Sequence, residues 1–205
     1  MTDSLTLTFC RKFIFQRRIL RDNVIHSTPY LRTIMHSSQR LTLRPVTSAD
    51  AQALFAIYGD PATNLFNPAG PFSSQQVADE VLDKWLAHWQ QFGFGYWALT
   101  LTGSDELIGF GGLTVRQVNQ QDFINLGYHF STVAWGKGLA TEFARWAVDF
   151  GFRQLGMTEI SATVRENHLA SQKVLIKAGM RCTGMILDVE GFQPSLFFTV
   201  RQEAG

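Results

Sequence analysis

The chain has 205 residues, 45% of them hydrophobic, and a formal net charge of +1, which suffices for one domain with a sizeable core and sets aside intrinsic disorder. No run reaches the roughly 18 apolar residues of a membrane-spanning helix. The charged residues are scattered, and residues 40–205 carry a net charge of −3, which gives no support to nucleic-acid binding. Cys10 and Cys182 make neither a disulfide framework nor a zinc site, and the five histidines lack metal-ligand spacing; no metal is expected, and the compartment is read as reducing and cytoplasmic.

Residues 1–39 hold six basic residues against two acidic ones, a balance of +4. They lack the apolar segment of a secretory signal. An organelle transit peptide, a basic arm for an anionic partner, and a dispensable or mis-started extension all fit that composition. The last is favoured, because Met35 stands just before the first clear domain signal, Arg40-Leu-Thr-Leu-Arg-Pro-Val46. Residues 40–205 are then a single domain, and deleting residues 1–34 is expected to leave folding and activity intact.

Alternation over residues 40–46 predicts a strand that Pro45 brings to an end. Thr47-Ser-Ala-Asp50 supplies N-cap chemistry for a helix with Leu54, Phe55 and Ile57 on its apolar side, stopped by Gly59-Asp-Pro61. A second helix begins near Ser74 and carries Val77, Val81, Trp85 and Trp89 at four-residue spacing, read as core. Strands are expected over residues 96–101, 107–115 and 124–130, the first two as a hairpin. Helical periodicity then places Leu139, Phe143, Trp146, Ala147 and Phe150 on one face. A strand over residues 159–164, a helix over 168–178 closed by Gly179, and strands over 181–187 and 195–200 complete the chain. Antiparallel strands followed by strand-helix-strand-helix imply a mixed α/β (α+β) fold with a parallel junction in the second half, where ligands tend to bind.

The passage Asn125-Leu-Gly-Tyr128 through Trp135-Gly-Lys-Gly-Leu-Ala-Thr-Glu142 runs from strand through turn to helix. Gly136 and Gly138 allow several N–H groups to converge on one anion beside a helix N-terminus, with Lys137 adding charge and Thr141 a hydroxyl. That pattern alone fits a phosphate cradle and a structural strand-to-helix turn equally. The glycines match neither a P-loop nor a dinucleotide fingerprint.

Three stretches together resemble the GNAT superfamily of N-acetyltransferases, and within it the branch that includes ribosomal-protein N-terminal acetyltransferases of the RimJ and RimL type. They are Leu-Thr-Leu-Arg44-Pro, the Leu126-to-Glu142 passage, and Arg165-Glu-Asn-His-Leu-Ala-Ser171 with Lys177-Ala-Gly-Met180. The resemblance implies a central, mostly antiparallel sheet of about seven strands flanked by helices, with a V-shaped parallel junction at the coenzyme site. It implies acetyl-CoA as co-substrate, a protein N-terminus or a small-molecule amine as acceptor, no nucleic-acid or membrane partner, and a monomer or homodimer.

Carried over by position, His129, Phe130 and Ser131 would pair with the pantetheine arm. The amides of Gly136, Lys137, Gly138, Leu139, Ala140 and Thr141 would hold the pyrophosphate, and Asn167 would bond the pantetheine. Ser171 would sit by the thioester sulfur as the acid. Lys177 is read instead as a cation at a helix C-terminus. Asn125 stands where the family often has a Glu, and Met180 where it has an aromatic residue. The base therefore stays open among His129, Asp122, Glu166, Glu190 and a water relay through Asn125. Two other functions fit the same pattern: a coenzyme-binding sensor or scaffold without transfer activity, and an enzyme for longer acyl chains or an oxygen nucleophile.

Overall fold

The computed structural model describes residues 35–202. Residues 1–34, which hold most of the extension and Cys10, lie outside them. Among the described residues no helix is long and apolar enough to cross a membrane.

The first strands are β1 (His36–Ser37) and β2 (Leu41–Pro45); helices α1 (Ala51–Tyr58) and α2 (Gln75–Phe92) follow. Next come β3 (Tyr96–Leu101), β4 (Leu107–Val118) and β5 (Gln121–Phe130), then α3 (Leu139–Arg153), β6 (Glu159–Val164), α4 (Leu169–Lys177), β7 (Arg181–Ile186) and β8 (Ser195–Arg201). All eight strands form one sheet in the order β1-β2-β3-β4-β5-β6-β8-β7. Only the β5–β6 pair is parallel. The eighth strand, beyond the seven expected, is β1. It lies in the stretch read as extension, so residues 36–39 pack with the domain: His36 pairs with Leu43, and its ring lies 5.0 Å from that of Phe150. Two residues are too few to carry a period.

The element starts follow local chemistry. At the end of β2, Arg44 grips the buried Asp50 with two bonds of 2.8 and 2.6 Å, and Asp50 also accepts the Thr47 N–H at 2.7 Å. This bidentate pair fixes the strand-to-helix corner. In α2 the buried positions are Ala78, Leu82 and Trp89, whereas Val77, Val81 and Trp85 are only partly covered. The strict four-residue row drifts about 40° per step around a helix of 3.6 residues per turn, so its first members leave the core face. β4 and β5 are longer than expected and meet at Asn119 and Gln120, both at positive φ (50° and 61°). That geometry belongs to a tight hairpin turn, which an Asn-Gln pair announces more faintly than Asn-Gly.

Successive strand residues point to opposite faces of the sheet. Phe110 of β4 meets Tyr58 of α1 and Trp85 of α2, while a Cβ on the next residue, Gly111, would fall 2.4 Å from the Phe143 ring of α3. Helices α1 and α2 thus cover one face, and α3 and α4 the other. The parallel contact between β5 and β6 is confined to Asn125 opposite Ser161. Beyond it β5 runs five further residues to Phe130 without a partner on that side. The sheet opens there into a fork.

Candidate active site at the strand fork

β5 leaves the fork through Ser131, a 3₁₀ turn over Thr132–Ala134, and Trp135, whose indole N–H donates to Phe130 O at 3.0 Å. Gly136 and Gly138 both take positive φ (72° and 76°), a conformation that penalises a side chain even though neither position is crowded. Gly138 is the N-cap of α3, and its carbonyl accepts the first helical bond, from Glu142 N at 3.0 Å. The N–H groups of Leu139, Ala140 and Thr141 therefore precede any intrahelical acceptor and point out of the helix end. Leu139 buries its side chain in the core.

This end is braced from the link between β1 and β2. Arg40 bonds Glu142 through its backbone N (2.6 Å) and Nε (2.7 Å) and reaches Lys137 O through Nη1 (2.9 Å). Ser38 Oγ adds a 2.6 Å bond to the same carboxylate. These bonds and the Arg40 charge hold the Glu142 carboxyl below its ordinary value against the opposing effect of its partial burial. The first turn of α3 is thus relieved of an anion that would oppose a second one at the helix N-terminus.

Ser131 N–H is taken by Ile108 O at 2.9 Å, so this predicted pantetheine contact already has a partner within the sheet. The alternation of an antiparallel ladder turns the Phe130 N–H the other way, toward the open fork.

A cavity of about 360 Å³ passes through the fork. Asn125 and His129 reach it from the α1 face of β5, and Tyr128 and Ser171 from the α4 face. Tyr128 Oη lies 2.9 Å from Ser171 Oγ, and burial pushes the phenol up to about 12, with the serine bond pulling slightly the other way. The pair is neutral and can pass a proton outward. His129 stacks on Tyr58 at 4.0 Å, and its Nε2 is buried without a partner. Desolvation, helped by the neighbouring His168 and opposed by Asp60, lowers it to about 4, so the imidazole is neutral at physiological pH.

The structure therefore gathers Asn125, His129 and Ser171 in one cavity and sets the Gly136–Thr141 turn at the adjoining helix end. Asn167 is exposed at the start of α4 and is not part of the cavity wall. Among the other candidate bases, Asp122 accepts from Gln117 (2.6 Å) beside the hairpin turn, Glu166 and Glu190 are exposed, and none lines the cavity. Met180 is a buried core residue, and Lys177 stands in the last turn of α4, as read.

On sequence alone Tyr128 carries no chemical role beyond its place in the Leu126-Gly-Tyr128 stretch. Its parity on β5, opposite to Asn125 and His129, is the signal that aims it at α4. Arg116, Arg165 and Asp188 also line the cavity and were missed as a group. Asp188, with its side chain 6% exposed, lies 3.5 Å from Arg165 Nη2 and 3.9 Å from Arg116 Nη1.

The sequence profile of the acetyltransferase (GNAT) domain family matches residues 40–181. The Bacillus subtilis protein described as uncharacterized N-acetyltransferase YoaA is 27% identical over 150 residues, 73% of this chain and 84% of its own. Among solved structures, an acetyltransferase from Agrobacterium tumefaciens superposes with a TM-score of 0.70 at 24% identity, over 82% of this chain and 95% of its own. Mycobacterium smegmatis RimJ in complex with CoA-disulfide gives a TM-score of 0.66 at 21% identity, over 82% and 86%. The profile spans well over half the chain and contains the fork, the glycine turn and the Tyr128–Ser171 pair: the chain belongs to the GNAT acetyltransferase family.

Proposed function

We propose that this protein transfers an acetyl group from acetyl-CoA to a primary amine by direct attack on the thioester. The observation that carries the reading is the cavity through the fork. It joins a neutral hydroxyl pair (Tyr128 and Ser171) on one face of the sheet to a buried neutral imidazole on the other, beside the open N-terminus of α3.

The residues suit the substrates. The coenzyme pyrophosphate is met by the N–H groups of Gly136 to Thr141, where the helix end favours an anion. The pantetheine arm lies along the free side of β5 past His129 and Phe130, as an added strand would, with Asn167 as a further donor from the start of α4. A protonated amine has no lone pair, so the acceptor reacts as the neutral amine. Its nitrogen attacks the thioester carbonyl, and the oxyanion that forms accepts from the Phe130 N–H. The C–S bond then breaks, the departing thiolate takes a proton from Ser171 Oγ, and Tyr128 resupplies it. The proton lost by the amine passes to water held by Asn125 and His129 and returns through solvent to Tyr128, so the hydroxyl pair ends neutral, as it began.

The test is coenzyme A release from acetyl-, propionyl- and succinyl-CoA with a panel of amines, aminoglycosides and N-terminal peptides. Release with acetyl-CoA and at least one primary amine is expected. Thermal stabilisation by acetyl-CoA with no release across the panel would favour a coenzyme sensor over an enzyme.

A further inference from the structure

Four buried side-chain polar atoms among the described residues have no hydrogen-bond partner, and three of them belong to residues of the fork cavity: Asn125 Oδ1, His129 Nε2 and Asp188 Oδ1. The fourth, Trp97 Nε1, lies in the core. Buried polar atoms are normally satisfied; Asp188 Oδ1 faces Arg165 Nη2 at 3.5 Å, so the two atoms that call for a ligand are Asn125 Oδ1 and His129 Nε2. Asn125 Oδ1 is an acceptor, and a neutral His129 with its proton on Nδ1 makes Nε2 a second, a set matched to the N–H groups of an amine.

The charges in the same wall add a second requirement. Arg116, Arg165 and Asp188 are the charged residues that line the cavity, and the two histidines there, His129 and His168, are both held low by burial, so the cavity carries one net positive charge. Both guanidiniums are pinned, Arg116 by Thr163 Oγ1 at 3.1 Å and Arg165 by Gln193 O at 2.5 Å. Asp188 approaches each at only 3.5 and 3.9 Å, longer than a charge-assisted bond, so it leaves most of their N–H donors for another anion. A surrounding positive charge also favours the neutral form of an amine, which is the reactive one.

We infer that the acceptor is a small primary amine that also carries a carboxylate or a similar anion. Its nitrogen is held at Asn125 and His129, and its anion by Arg116 and Arg165. This rests on the transferase reading above and names its substrate class. A polyamine or aminoglycoside would bring several positive charges to a positive wall. A peptide N-terminus has no anion next to its amine.

The experiment uses the full chain and acetyl-CoA, and reads coenzyme A release from matched triplets: leucine, leucinamide and isopentylamine, then phenylalanine with its amide and phenethylamine, plus a short peptide with the same first residue. The amide has the less basic amine, so more of it is neutral, and intrinsic reactivity opposes the expected order. The acid is expected to exceed its amide about tenfold or more in kcat/KM. Arg116→Gln should lower kcat/KM for the acid about tenfold more than for its amide, and the amide turnover that remains controls for misfolding. An amide or peptide that equals or outpaces the acid, or an equal loss for both in Arg116→Gln, overturns this assignment and leaves the transferase reading standing. No release with any amine overturns both.

Discussion

Tyr128 Oη and Ser171 Oγ lie 2.9 Å apart, and this contact ties β5 to α4 across the open fork of the sheet. A lone serine hydroxyl is a poor acid, but one backed by a buried, neutral phenol can give up a proton and recover it at once. Ser171→Ala should lower kcat for coenzyme A release about 10²-fold with little change in KM for acetyl-CoA. Tyr128→Phe should lower kcat by less. The double variant should be no slower than Ser171→Ala, because the two act as one unit. Full turnover by Ser171→Ala would remove the proton-donor role.

Arg40 braces the end of the site proposed to hold the coenzyme. It stands just before β2, 102 residues from Glu142, yet three of its groups fasten the turn and first turn of α3. Arg40→Ala takes the guanidinium away from the Glu142 carboxylate, which keeps only the residue-40 N–H and Ser38 Oγ beside the proposed pyrophosphate position, and loosens the Lys137 carbonyl. Titration calorimetry should give coenzyme A binding weaker by about tenfold, with kcat at saturating acetyl-CoA changed less than twofold. Glu142→Gln, which removes the anion and keeps the shape, should restore much of the affinity in the Arg40→Ala background. Equal affinity in wild type and Arg40→Ala would show that the brace is irrelevant to the coenzyme.

These cases separate what the sequence carries from what only the fold assembles. Gly136 and Gly138 were legible because positive φ at two positions of one short turn demands a residue type that stands out. The α3 face was legible because Phe143, Ala147 and Phe150 repeat with the helix period and are all buried. Tyr128 was half legible: its strand was expected, but a role requires knowing that β6 diverges after Ser161 and lets α4 approach. Arg116 and Asp188 are 72 positions apart on β4 and in the β7–β8 loop, so nothing local in the chain announces their meeting. The β1 strand and the Asn119-Gln120 turn are too short for any period to register.

The three glycines of β4 report how close its neighbours come. A Cβ on Gly112 would lie 2.2 Å from Gly95 O and 2.6 Å from Tyr96 Cα, both backbone atoms. The adjacent β3 strand cannot yield locally, so Gly112→Ala should destabilise by about 2–3 kcal/mol in urea unfolding. At Gly111 the obstacle is the buried Phe143 ring, which can shift only by disturbing the α3 interface, and a loss of about 1–3 kcal/mol is expected. Gly184 of β7 has no atom within 4 Å of a built Cβ and does not take positive φ. Gly184→Ala should unfold within about 0.5 kcal/mol of wild type. Similar midpoints for Gly112→Ala and Gly184→Ala would contradict the packing described.

The buried imidazole makes stability depend on pH in a stated direction. His129 is lowered from 6.5 to about 4 by desolvation, so between those values the unfolded chain binds a proton that the folded chain refuses. Stability from this residue is complete above pH 6.5 and is lost as pH falls toward 4. Between pH 7 and 5 the loss is about 2 kcal/mol at most, from 1.36 kcal/mol per pKa unit. His36, His88 and His168 are lowered by burial as well and act in the same direction. His88 is held neutral in one tautomer, with its Nδ1–H on Phe94 O (2.8 Å) and its Nε2 accepting from Val115 N (3.0 Å). Urea unfolding at pH 7 and pH 5 should therefore show a fall in wild type and a smaller fall in His129→Gln, which has no proton to refuse. An identical pH dependence in the two proteins would mean that His129 does not remain neutral in the fold, and would withdraw its Nε2 from the role of acceptor for the substrate amine.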